Sequence, residues 1–179
     1  MEKRFIVLDT ETTGLEVEKG HRIIEIGGVV MNGRKKTSET FHAYINPQRE
    51  IDKEAQAVHG ISNEDLEDKP FFSDIAEDFL EFIDGSTLVI HNADFDIGFL
   101  DAELKIASST YPAISDICEI KDTLAIARNK FPGQRNSLDA LSKRFEISGY
   151  DRSYHGALLD ANILACLLYT SDAADDLTR

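Results

Sequence analysis

Two carboxylates, Asp9 and Glu11, end the apolar run from Phe5 to Leu8 and are followed by the small polar residues Thr12, Thr13 and Gly14. Alternate side chains of a strand point to one face, so both acids project from the same spot. Adjacent anions repel each other unless a cation lies between them. An all-oxygen donor set selects a hard ion, Mg²⁺ or Mn²⁺. The residues from Thr12 to Gly14 let a loop approach a ligand closely. Taken alone, the segment reads equally well as a strand ending in a solvated acidic turn.

A second cluster lies in Val89-Ile-His-Asn-Ala-Asp-Phe-Asp-Ile-Gly-Phe-Leu100. A strand ends and a helix begins there, the usual place of ligands in open α/β sheets. The cluster carries Asn92, Asp94, Phe95 and Asp96. Asp94 suits a helix N-terminus, where negative charge meets the macrodipole, and that is the role expected of it. Asp96 can do the same or turn toward the sheet. A third cluster, His155-Gly-Ala-Leu-Leu-Asp160, opens the last helix. Its two polar residues are about 140° apart around a helix, so they do not share a helical face. If His155 lies in the preceding loop, its imidazole can swing over a site anchored by Asp160. A lone histidine near a helix start is otherwise a surface or capping residue.

Together, Asp9, Glu11, Asp96, Asp160 and His155 are the residue types that two-metal phosphodiester hydrolysis needs. The carboxylates hold the cations and the imidazole takes a proton from the attacking water. The chain has no Gly-rich lysine loop, Rossmann glycine pattern or Gly-x-Ser-x-Gly elbow, so rival chemistries have no support.

The elements that must position these residues follow a mixed α/β order. Strands are expected at about 4–9, 22–31 and 37–45. The Gly27-Gly28 pair predicts a bulge or close packing. Asn32-Gly33 predicts a tight hairpin, making the second and third strands antiparallel. A short helix near 52–58 precedes His59-Gly60 and a loop. Ile75, Phe79, Leu80 and Ile83 mark a helix over Ser73 to Asp84, with Gly85 as its stop. Thr87 to His91 reads as a buried strand, and a helix starts within Asp94 to Gly98. A fifth strand is expected at Ile114 to Ile117, then helices near 122–130, 137–145 and from 156 onward.

The 179 residues suffice for one domain with a real core, and the hydrophobic share of 42% and charged share of 29% are those of a soluble globular protein. No stretch approaches the ~18 apolar residues of a membrane span. Met1-Glu-Lys-Arg leads straight into a strand, without a signal-peptide core. Two cysteines, Cys118 and Cys166, and no Cys/His cluster point to a reducing cytoplasm and away from zinc. The net charge of −14 argues against nucleic acid. From Lys121 to Arg152, however, seven basic residues stand against four acidic ones. Such a patch, with bound metal ions, suits a short single strand rather than a long duplex.

The chain resembles the epsilon (3′–5′ proofreading exonuclease) subunits of bacterial DNA polymerase III, in the DEDDh exonuclease family. The resemblance covers roughly residues 4–165. It rests on Ile6-Val-Leu-Asp-Thr-Glu-Thr-Thr-Gly-Leu15, Arg22-Ile-Ile-Glu-Ile-Gly27, Val58-His-Gly-Ile61, Ile90-His-Asn-Ala-Asp-Phe-Asp96, Arg135-Asn-Ser-Leu-Asp-Ala-Leu141 and His155-Gly-Ala-Leu-Leu-Asp160. It implies a ribonuclease-H-like fold, a five-stranded mixed sheet flanked by helices. It further implies Asp9, Glu11, Asp96 and Asp160 as ligands of two divalent ions and His155 as general base. Thr12, Gly14, Leu15, His59, Asn92 and Phe95 would line the pocket of the 3′-terminal nucleotide. The implied activity is removal of mispaired nucleotides from a DNA 3′ end, in the cytoplasm, beside a polymerase catalytic subunit. The alternatives are a DEDDh ribonuclease acting on short RNA or tRNA ends, a non-catalytic polymerase-stabilising subunit, and a module of a larger fusion. The five intact catalytic positions speak against the non-catalytic reading.

The end of the chain departs from the family. Cys166-Leu-Leu-Tyr-Thr-Ser-Asp-Ala-Ala-Asp-Asp176 is similar to the translation of a common transposase sequencing adapter. Residues 1–165 are therefore expected to be the exonuclease domain and 166–179 a non-native tail, with the polymerase-binding segment missing. Leu167 and Leu168 follow Ile163 and Leu164 at i+4 and can still prolong the last helix. Ser171 onward is expected to be disordered.

Overall fold

The computed structural model describes residues 4–170. Strands β1 (Arg4–Thr12), β2 (Ile23–Asn32) and β3 (Lys35–Tyr44) form an antiparallel meander. Helices α1 (Lys53–His59), α2 (Asn63–Leu66) and α3 (Phe72–Ile83) lead to β4 (Thr87–Ile90). Then come α4 (Ala93–Ala107), α5 (Ile114–Ile117), β5 (Glu119–Asp122), α6 (Thr123–Lys130), α7 (Leu138–Arg144) and α8 (Ala157–Thr170). The sheet order is β3-β2-β1-β4-β5, with β1/β4 and β4/β5 parallel. This is the five-stranded mixed sheet that was expected.

The central strand explains the layering. Phe5 to Leu8 are buried because both faces of β1 are covered. Ile6 and Leu8 join Phe79, Ile83 and Leu100 of α3 and α4 in one core. Phe5 and Val7 join Ala161, Leu164 and Leu168 of α8 in a second core on the other face. Strand alternation therefore gives Asp9 and Glu11 the parity of the α8 face before any site is considered. On β2, Val29 and Met31 belong to the same core, so Glu25 and Gly27 share that face.

Gly27 is where α8 meets the sheet. A Cβ there would stand 2.2 Å from the Leu158 nitrogen, so only glycine admits the helix. Of the two expectations for the glycine pair, close packing is the one realised. The hairpin at Asn32-Gly33 is present, with Gly33 at φ 57°.

Two expectations need correction. Ile114 to Ile117 is not a strand but the short helix α5, and the fifth strand is Glu119–Asp122. Ile114 and Ile117 lie three apart, which aligns them on one helical turn facing the core. The true strand is polar because it is an edge, with Ile120 packed against the core. The loop after His59-Gly60 contains the extra helix α2. Its Ser62 accepts from the Asp65 N–H (3.1 Å) while Asp65 accepts from the Ser62 N–H (2.9 Å), a reciprocal cap.

Helix α8 runs on to Thr170 with Leu167 and Leu168 only 4% and 3% exposed, as their spacing predicts. The expectation for Ser171 onward lies outside the described residues. Among the described residues, no helix is long and apolar enough to cross a membrane.

Candidate active site

β1 lies in the middle of the sheet, and its acids meet the N-terminal ends of two helices. Asp160 is buried in the first turn of α8. His155 lies in the loop just before, as its expected role requires, and its N–H donates to the Val58 carbonyl (2.9 Å). One ligand atom each from Glu11, His155 and Asp160 all lie within 4.8 Å of one another. His155 Nδ1 is 3.7 Å from Asp160 Oδ2, and its Nε2 is 3.8 Å from Asp139 Oδ2.

Asp96 reaches the same strand end from α4. It is 3% exposed, and its Oδ1 accepts from both the Thr10 N–H (3.1 Å) and the Thr10 hydroxyl (2.7 Å). Thr10 stands between Asp9 and Glu11, so this pair of bonds ties α4 to the acid-bearing strand. Asp94 remains exposed in the first turn of α4, apart from the cluster.

The carboxylates are crowded enough to oppose one another's ionisation. Burial pushes Asp9 well above the usual carboxylate range, and Asp96, Glu11 and Asp160 add to the rise. Burial followed by Asp160 and Glu25 lifts Glu11 from 4.5 to about 8, against the pull of Arg152. Asp96 rises to about 7 by burial, although the Thr10 hydrogen bonds favour its charged form. Asp160 is raised by burial, while Arg152 and His155 lower it. Hard oxygen donors at this density fit divalent cations, whose positive charge favours the ionised form of the acids.

The expected nucleotide-pocket residues surround this end of the sheet in different ways. Thr12 is buried, its hydroxyl donating to the Gly14 carbonyl (2.6 Å). Gly14 lies against the His21 ring, with no room for a Cβ. Leu15 is 79% exposed. His59 is buried, its Nδ1 accepts from the Ile61 N–H (3.1 Å), and burial lowers its pKa. Asn92 is exposed at φ 71°, and its N–H donates to Asp122 (3.0 Å). Phe95 is half-buried and packs on Phe99, ring centroids 4.9 Å apart.

Three residues join the site that sequence reasoning did not single out. Arg152 bridges Asp139 and Asp160 (2.8 Å to the latter). Asp139 therefore touches both the guanidinium and the approach to His155. Glu25 lies directly across from Glu11 on β2 and is 2% exposed. It is the only charge in the apolar run from Ile23 to Val30, and that was the available signal.

An exonuclease family model matches residues 6–168. The DNA polymerase III subunit epsilon of Escherichia coli K12 is 52% identical over 166 residues, 90% of this chain and 68% of that protein. The subunit of the same name from Rickettsia prowazekii is 54% identical over 162 residues, 90% of this chain and 71% of its own.

The chain belongs to the DNA polymerase III epsilon family.

It is thus a 3′–5′ DNA exonuclease of the proofreading kind, and as a DEDDh enzyme it depends on divalent metal. Among solved structures, exonuclease X in complex with 5′ overhanging duplex DNA has a TM-score of 0.72 at 28% identity, covering 97% of this chain and 92% of that one. The nuclease domain of 3′hExo, a DEDDh family member bound to rAMP, has a TM-score of 0.75 at 17% identity, covering 99% and 92%. The ribonuclease-H-like fold expected from the epsilon resemblance is therefore the fold observed. The ribonuclease and non-catalytic alternatives are not favoured.

Proposed function

We propose that Asp9, Glu11, Asp96 and Asp160 hold two Mg²⁺ or Mn²⁺ ions and that His155 is the general base in hydrolysis of the 3′-terminal phosphodiester of a DNA single strand. The convergence of Glu11 on β1 with His155 and Asp160 at the start of α8 carries this reading. When bound, such ions activate water and stabilise the leaving oxygen. Thr10 holds Asp96 in place through two hydrogen bonds, and the Val58 carbonyl holds the His155 backbone. The imidazole then takes the proton of the attacking water. The product is a nucleoside monophosphate. Thr12, Gly14, Leu15, His59, Asn92 and Phe95 form the nucleotide pocket in this reading.

The reading extends to a polymerase catalytic subunit as partner, because the relatives are named as polymerase III subunits. It includes a cytoplasmic location, supported by the free thiol of Cys118. Residues 166–179 are taken as a non-native tail on an exonuclease domain of residues 1–165.

A primer carrying a 3′ mismatch and a labelled 5′ end tests the core of it. Stepwise shortening with Mg²⁺ or Mn²⁺, none with chelator, and slower cleavage of the matching RNA are expected. Undiminished cleavage in chelator, or faster cleavage of RNA, would overturn it.

A further inference from the structure

Glu25 is a buried acid placed opposite another acid. Its register partner on β1 is Glu11, a proposed metal ligand, and like charges facing each other across a strand pair are unfavourable. Glu25 is 2% exposed and, among the described residues, no lysine or arginine hydrogen-bonds or ion-pairs with it. Its Oε1 instead accepts from the Ala157 N–H (2.5 Å), the first residue of α8. Its Oε2 meets His42 Nε2 (3.3 Å), and Tyr44 is its register partner on β3.

The first N–H groups of a helix lack partners within the helix and carry the positive end of its dipole. A side-chain oxygen, charged or neutral, can accept from them. Here that acceptor comes from the sheet rather than from the residue before the helix. Gly27, two residues along the same face, lets the helix backbone approach the strand. Glu25 and Gly27 thus both meet the start of α8. Ala157 lies two residues after His155 and three before Asp160. The Glu25 bond is therefore the tether nearest to both on the sheet side.

We propose that Glu25 is a positioning residue for catalysis: by holding the Ala157 N–H it sets the start of α8, and with it the placement of His155 and Asp160 against Glu11. Neither the charge of Glu25 nor a bond to metal is what matters; the reach of its acceptor oxygen is. His42, on the other oxygen, keeps the carboxylate oriented.

The inference rests on the proposed roles of His155 and Asp160, and two conservative variants of the full chain test it. Glu25→Gln loses the charge but retains an acceptor oxygen at the same reach. Glu25→Asp retains the charge but is one methylene too short. Turnover on a mismatched primer at saturating Mg²⁺ is measured with KM and the melting temperature. Glu25→Asp should lose roughly 10²-fold in kcat, the cost of misplacing a catalytic group by about 1 Å, with KM within about twofold. Glu25→Gln should stay within about threefold of the parent in kcat. The opposite order, with Asp active and Gln impaired, would show that the charge matters and overturn the proposal. Equal kcat in both variants, whether high or low, overturns it too. An inactive parent would instead defeat the function proposed above, so the two failures are distinguishable.

Discussion

Thr10 and Asp96 are joined by two hydrogen bonds to a single carboxylate oxygen, one from the backbone and one from the side chain of the residue between Asp9 and Glu11. The acid that α4 contributes is thus oriented by the strand that bears the other two. Two bonds on Oδ1 leave Oδ2 as the freer oxygen for a cation.

Removing a ligand should therefore differ sharply from removing a neighbour. Asp9→Ala or Asp96→Ala should lower kcat by orders of magnitude, since each deletes a proposed metal contact rather than apolar packing. Asp94→Ala, at the exposed position, should remain within several-fold of the parent. Single-turnover cleavage of a mismatched primer checks the pair, and equal inactivity of the Asp94 and Asp96 variants would place the ligand wrongly.

For His155 the expected loss follows from its proposed role. A general base contributes about 10²–10⁴-fold, so His155→Ala should lower metal-saturated kcat by that factor. Metal affinity measured by calorimetry should survive, because the four carboxylates are unaltered. Full turnover in this variant would remove the imidazole from the mechanism.

The raised carboxylates also make a prediction about stability and pH. A carboxyl with a higher pKa in the folded state binds more protons there than in the unfolded chain, so stability falls as pH rises between the two values. Glu11 at about 8 and Asp96 at about 7 set the upper part of that window. In chelator, the melting temperature should decline from about pH 5 to about pH 8. Mg²⁺ should raise it more at the alkaline end, where the acids have shed their protons. Scanning fluorimetry with and without Mg²⁺ measures both trends; a metal effect that shrinks with rising pH would contradict the proposed ligand set.

The end of α8 offers a fourth test. Deleting 171–179 should leave turnover unaltered, since the proposed catalytic residues precede it. Deleting 166–179 also removes Leu167 and Leu168, which are buried in the α8 core. Each such side chain contributes roughly 1.5–3 kcal/mol, so the melting temperature should drop markedly while residual kcat below it persists. Equal melting temperatures for the two truncations would mean that these leucines add nothing.

Much of the site was legible in local patterns because its residues sit at element ends. The apolar run before Asp9 and Glu11, the strand-to-helix change before Asp96 and the loop-to-helix change at His155 each have a periodicity that reads directly from the chain. The fifth strand was not legible. Glu119 to Asp122 is a polar edge, and its pairing with β4 comes from the sheet, not from its own composition.

Sequence by itself determined which side chains share the α8 face of β1, because strand parity is a local property that Phe5, Val7, Asp9 and Glu11 cannot escape. It also determined the hairpin at Asn32-Gly33, while at Gly27 it left a bulge or close packing open. Only the tertiary structure decided that Asp96 turns inward while Asp94 stays in solvent, since both suit a helix N-terminus and only the Thr10 contact distinguishes them. Only the tertiary structure brought Arg152 between Asp139 and Asp160, and set Glu25 against the start of α8. Those partners are far apart in the chain or held by loops, and no periodicity encodes a hydrogen bond between a strand and a helix 132 residues later.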